Sequence, residues 1–245
     1  MIKGLQKLTL LDYPGRTACT VFTGGCNFRC PFCHNALLVT EMDNDIYQEE
    51  AVFEHLKLRK NVLDGVAVTG GEPLLQKDIE RFLYEIKDMG YDIKLDTNGS
   101  FPEKLKDILD LGLVNYVAMD IKNCREKYGM TVGFDEGYDL SPIDESISFL
   151  MSGKVDFEFR TTVTREYHTA EDIAKIIEAG RYCPTGTNAQ DFSFTVITDK
   201  LDEIEKEFED MTEEEIMEMI QMMEHASQLD DKTIEEIRSQ LSEIG

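Results

Sequence analysis

A chain of 245 residues, 42% of them hydrophobic, is long enough for one α/β domain with a sizeable core, and (β/α) barrels reach this size as a single unit. Its net charge of −24 argues against nucleic acid or an anionic membrane as direct partners, because a phosphate surface needs a basic face. Six cysteines, three of them clustered, fit reduced thiols holding a metal better than a disulfide framework; with no apolar run of about 18 residues and no secretory pattern in Met-Ile-Lys-Gly-Leu-Gln-Lys, the expected location is the cytoplasm.

Ala18 to Thr23 is a β-branched apolar run that reads as a strand. It feeds through Gly24-Gly25 into Cys26-Asn-Phe-Arg-Cys30-Pro-Phe-Cys33, a tight irregular loop with three thiols in eight residues. Gln48 to Arg59 has helical character, and Val66-Ala67-Val68 is a buried strand ending in Thr69-Gly70-Gly71-Glu72-Pro73. Ile79, Phe82, Leu83 and Ile86 recur at helical spacing within Gln76 to Met89, with Gly90 as the stop. Ile93-Lys94-Leu95 is a short strand ending in Asp96-Thr97-Asn98-Gly99, followed by a helix from Pro102 to Leu111. Val114 to Met119 is a strand ending in Asp120-Ile121-Lys122. A long loop is expected from Asn123 to Leu140, then a helix over Pro142 to Met151, a strand over Val155 to Thr162 carrying Arg160, a helix over Thr169 to Ala179 and a sixth strand at Phe192 to Ile197.

Alternating strands and helices imply parallel strands covered by helices. Six such units are too few for an eight-stranded barrel, so the expected fold is α/β: an open, partial (β/α)6 barrel of TIM type over residues 1–200. Residues 201–245 form a separate block, with 16 acidic residues against 3 basic ones and helical stripes at Ile216, Met219, Ile220 and Met223, then Ile234, Ile237 and Leu241. In barrels of this kind functional groups stand at the C-terminal ends of strands. Five successive ends carry the cysteine loop, Gly70-Gly71-Glu72, Asp96-Thr97-Asn98, Asp120 with Lys122, and Arg160.

Three thiolates from one loop suit an iron-sulfur cluster. Because a four-iron cluster usually takes four protein thiolates, three leave one iron open to another ligand. Other readings are a buried helix face, which Gly24-Gly25 and Pro31 oppose; a zinc site completed by Cys124 or Cys183; and c-type haem attachment at Cys30-Pro-Phe-Cys33-His34, which leaves Cys26 unexplained. The glycine pair lets a ligand approach the backbone, or is a plain turn. Asp96-Thr97-Asn98-Gly99 also has strong turn chemistry. The four histidines read as loop-positioning (His34) or peripheral (His55, His168, His225), and none is assigned as a base or nucleophile.

The C-x3-C-x2-C loop with Phe32 before the last cysteine resembles the cluster loop of radical S-adenosylmethionine (SAM) enzymes. Leu11-Asp-Tyr-Pro-Gly-Arg16, Val21-Phe-Thr-Gly-Gly-Cys26 and Cys33-His-Asn35 narrow the likeness to glycyl-radical activating enzymes, most of all those serving anaerobic ribonucleoside-triphosphate reductase, from about Lys3 to about Asp172. The resemblance implies a [4Fe-4S] cluster on Cys26, Cys30 and Cys33. It also implies SAM bound by Phe32, Gly70, Gly71, Glu72, Asp96, Thr97 and Asn98, a monovalent cation helped by Asp120, and Lys122 and Arg160 neutralising the SAM carboxylate or lining the pocket. The implied reaction is reductive cleavage of SAM to methionine and a 5′-deoxyadenosyl radical, which takes hydrogen from a glycine of the partner reductase. The electron comes from a low-potential donor such as flavodoxin or ferredoxin. Another glycyl-radical enzyme or a small molecule are alternative targets. A second resemblance begins at Ile176: the stretch 176–199 is similar to the first flavin-binding segment of the nitroreductase family, with Arg181, Thr185, Asn188 and Gln190 at the flavin-side positions. The arginine-rich word expected before it is missing, and the same stretch also reads as the last strand and helix of the barrel.

Overall fold

The β-branched apolar runs form the middle of one six-stranded sheet in the computed structural model of this protein, which describes residues 2–40, 47–134 and 137–181. β1 (Ile2–Thr9) lies at one edge, antiparallel to β2 (Ala18–Thr23). From β2 the sheet continues in parallel, in chain order, through β3 (Gly65–Gly70), β4 (Asp92–Thr97), β5 (Tyr116–Asp120) and β6 (Asp156–Arg160). Parallel neighbours need crossovers. They are supplied by α1 (Ala36–Thr40) and α2 (Glu49–Leu58), then α3 (Ile79–Asp88), α4 (Pro102–Asp110), and α5 (Tyr128–Thr131) with α6 (Ser141–Leu150); α7 (Ala170–Arg181) follows β6.

Cys19, Val21, Val66, Val68, Ile93 and Leu95 are fully enclosed on one face of the sheet, and Ala18, Thr20, Ala67 and Lys94 are buried on the other, so both faces are covered. α3 presses Ile79, Phe82, Leu83 and Ile86 onto this sheet, and α4 adds Leu105 and Ile108. Each such side chain contributes roughly 1.5–3 kcal/mol of burial. The strands are therefore held rigidly, and so are the loops leaving their C-terminal ends.

The described residues fall within a single compact unit, residues 1–191. The expected strand Phe192–Ile197, the helical stripes of 201–245, and Cys183, Thr185, Asn188, Gln190 and His225 lie outside the described residues. Among the described residues the sixth strand of the sheet is β1. Its pairing with β2 is interrupted by register shifts between Ile2 and Gly4 and between Gln6 and Thr9, and only Ile2 and Thr9 along it are buried, so no clean alternation marks it. α5 also falls inside the stretch expected to be loop.

Candidate functional site

The cysteine loop leaves β2 beside the glycine pair leaving β3. Gly70 has φ +110°, and a Cβ there would stand 2.4 Å from the Thr23 backbone; one on Gly71 would stand 1.9 Å from the Gly25 carbonyl oxygen. The Gly71 and Glu72 amides donate to the carbonyls of Thr23 (2.9 Å) and Gly25 (2.8 Å), and Asn35 Nδ2 donates to the Gly70 carbonyl (3.1 Å). The two glycines thus let the β3 loop lie against the cysteine loop, main chain to main chain.

Glu72 is 0% exposed. Its Oε1 accepts from the Leu74 amide (3.0 Å) and the Thr97 hydroxyl (2.9 Å), and its Oε2 accepts from the Asn98 amide (2.7 Å). Burial pushes the carboxyl up to about 7, against the three donors that hold it down. Its oxygens are enclosed and bind the end of β3 to the end of β4. Thr97 also accepts from the Gly99 amide (3.1 Å), so its hydroxyl is in use as well.

Asn98 carries the connection on to the cysteines. Its Nδ2 donates to Asn27 Oδ1 (2.9 Å) and faces Cys26 Sγ at 3.6 Å, while its Oδ1 accepts from the amide (2.9 Å) and hydroxyl (2.6 Å) of Ser100. The Phe28 amide gives Cys26 a second donor at 3.3 Å. A carboxamide so engaged holds the cysteine loop.

The other half of the rim is ionic. Lys94, only 2% exposed, pairs with Asp96 at 2.8 Å. Arg160 bridges Asp96 (3.1 Å) and Asp120 (3.3 Å), and Lys122 pairs with Asp120 at 2.8 Å. Burial raises the Asp120 carboxyl, but Lys122 and Arg160 outweigh it and hold the group below its usual range. Burial lowers Lys122, and Asp120 outweighs that in turn. Each Asp120 oxygen thus faces a protein cation.

Cys30 lies within electrostatic reach of Cys26, Cys33, Lys122 and Asp120, so the loop and the β5 end share one site. Burial pushes Cys30 up to about 11 and raises Cys26 too, which makes them thiols until a metal displaces the protons. Among the described residues no three His, Cys, Asp or Glu side chains converge on a single ion. Each cysteine of a cubane binds a different iron, so the three need not meet on one ion, and the donors on Cys26 and the Lys122 ammonium supply what buried thiolates need. On its donor set, the loop fits a four-iron cluster.

Phe32 stands with its ring 5.6 Å from that of Tyr167 and 5.8 Å from that of His168. His168 is buried, with Nε2 2.9 Å from the Lys122 carbonyl and Nδ1 accepting from the Thr164 amide. It backs the site and is not peripheral. Asn27 and Lys94 also went unread. Lys94 left a signal, a charge between two apolar strand residues.

A family model for the Radical SAM superfamily matches residues 20–147, and one for the Nitroreductase family matches residues 160–241. A Methanocaldococcus jannaschii protein named as a glycyl-radical enzyme activating enzyme is 33% identical over 187 residues, 75% of this chain and 76% of its own. A second protein so named from that organism is 35% identical over 104 residues, 42% of this chain and 38% of its own. Among solved structures, Streptococcus suis SuiB bound to its precursor peptide superposes with a TM-score of 0.52 at 16% identity, over 65% of this chain and 35% of that one. The AdoMet-bound anSMEcpe structure gives 0.50 at 23%, over 64% and 45%. At such identities these structures bear on the fold alone.

Proposed function

The chain belongs to the radical SAM superfamily, whose members use a [4Fe-4S] cluster and SAM, and from that premise we propose that it activates a glycyl-radical enzyme, anaerobic ribonucleoside-triphosphate reductase being the favoured target. The observation that carries this reading is the bonding of the cysteine loop into the barrel rim: Gly71 and Glu72 to its backbone, Asn98 to Cys26 and Asn27. In this proposal Cys26, Cys30 and Cys33 hold the cluster. When bound, the cluster and SAM supply one-electron cleavage of the sulfonium to a 5′-deoxyadenosyl radical. The chain's own groups orient and shield. Gly70 and Gly71 seat the cysteine loop, Glu72, Thr97 and Asn98 fix the rim, and Asp96, Asp120, Lys122 and Arg160 exchange part of their mutual pairing for the zwitterionic end of SAM. Phe32, held by Tyr167 and His168, offers a ring face to the adenosyl group.

The partner is a protein with an exposed glycine loop, and the electron donor a flavodoxin or ferredoxin. The nitroreductase-like stretch is part of the same chain and takes no step in this reading; a division near residue 200 into barrel and acidic segment belongs to the proposal. Among the described residues no helix is long and apolar enough to cross a membrane. The test is anaerobic reconstitution with iron and sulfide, reduction, and addition of SAM, which yields 5′-deoxyadenosine and methionine. Adding the reductase then produces the doublet resonance of a glycyl radical. SAM cleavage without that doublet, against a reductase shown competent with another activase, overturns the target; no cleavage overturns the activity.

A further inference from the structure

Lys94 lies in the middle of β4, and its side chain is only 2% exposed. It stands in one row across the sheet with Thr20, Ala67 and Tyr116, on the face opposite Val66, Ile93 and Leu95. Asp96 follows two residues later, so the two side chains share that face, with Asp96 nearer the rim by about 7 Å of strand. The Lys94 ammonium reaches up to Asp96 Oδ1 at 2.8 Å, and Glu158 Oε1 stands farther off at 3.9 Å. Arg160 takes the other oxygen, Asp96 Oδ2, at 3.1 Å.

Taking an ammonium out of water is costly, and a well-packed apolar side chain of similar length would serve stability as well. The charge at this position therefore has another use. A ligand entering the rim meets Arg160, 37% exposed, and Asp96, 15% exposed, but Lys94 is covered by the groups above it. Arg160 can turn from Asp96 to a ligand's carboxylate; Lys94 cannot leave. We propose that Lys94 is a positioning residue for binding at the rim: it grips Asp96 Oδ1 from beneath, so that Oδ2 stays aimed at the mouth when Arg160 turns away and accepts from the cationic end of the ligand. This inference rests on the reading of the rim as the SAM site.

The experiment measures SAM binding by equilibrium dialysis to the reconstituted, unreduced full-length chain, where no turnover enters, with affinities taken per loaded cluster. Wild type is compared with Lys94→Met, Asp96→Asn and the double variant. Lys94→Met is expected to weaken SAM binding about tenfold, the size of one charge-assisted contact. Asp96→Asn weakens it as well, and in that background Lys94→Met causes no further loss, because a residue that acts through Asp96 has nothing left to act on. The double variant leaves neither charge of the pair behind, so its comparison with Asp96→Asn stands even where Lys94→Met alone fails to fold. Wild-type affinity in Lys94→Met overturns the inference, and so does a further tenfold loss in the Asp96→Asn background, which marks a packing effect independent of Asp96. A loaded wild-type chain that binds no SAM overturns this inference together with the functional reading, whereas normal wild-type binding with an unaffected Lys94→Met overturns this inference alone.

Discussion

On the β3 side of the rim the Glu72 carboxylate is enclosed and accepts from Leu74, Thr97 and Asn98, whereas across β4, β5 and β6 Asp96 and Asp120 share Arg160, whose side chain is 37% exposed. The first arrangement is closed: every contact is internal and changing one orphans others. The second is balanced between charges that reach solvent, and a zwitterionic ligand can enter it by taking over pairs already made. One half of the rim therefore holds the cysteine loop in place, and the other half is where the proposed function seats the zwitterionic end of SAM.

The largest break comes from the loop itself. Cys30→Ala removes one of three thiolates and is expected to abolish cluster retention and 5′-deoxyadenosine formation, read by iron and sulfide analysis and product chromatography. Glu72→Ala attacks the closed half. With three donors left unpaired in the interior it is expected to cost on the order of 4 kcal/mol of stability by chemical denaturation, and to impair cluster retention through the loop; cluster retention equal to wild type would separate Glu72 from the cysteines.

The closed half also has a pH signature. The native Glu72 carboxyl is raised from 4.5 to about 7, so the folded state holds this proton where the unfolded state has lost it. Stability is then expected to rise as pH falls from about 7 towards 4.5, and this component is absent from Glu72→Gln. A smaller effect is expected in the ionic half: Arg160→Ala lowers SAM affinity about tenfold, the size of one charge-assisted contact, and leaves cluster content unchanged. The smallest is outside both halves. Arg125→Ala breaks an exposed pair with Asp144 and is expected to change stability by less than about 0.5 kcal/mol and SAM affinity not at all.

The same contrast separates what could be read in the sequence from what could not. Strands β2, β3 and β5 announce themselves as apolar runs because both faces are covered, β4 shows only Ile93 and Leu95, and the groups at their C-terminal ends follow from chain direction alone. That Asp96, Asp120, Lys122 and Arg160 share one rim was therefore legible. What Glu72 and Asn98 do there was not, since sequence shows a carboxylate or carboxamide but not that its lone pairs are already taken. That the glycine pair also lets two loops meet was not legible, because the crowding Thr23 and Gly25 backbones belong to β2 and the loop that leaves it. β1 was missed because its partner is non-local and its pairing irregular. His168 is joined to the site by Phe32 and the Lys122 carbonyl, two contacts that no local pattern encodes.

The most direct test is electron paramagnetic resonance of the anaerobically reconstituted, reduced protein before and after adding SAM. If three cysteines leave one iron for the nucleoside, the reduced cluster gives a spin-half signal whose g-values change when SAM binds. A signal that SAM leaves unaltered in a fully loaded sample would contradict the account.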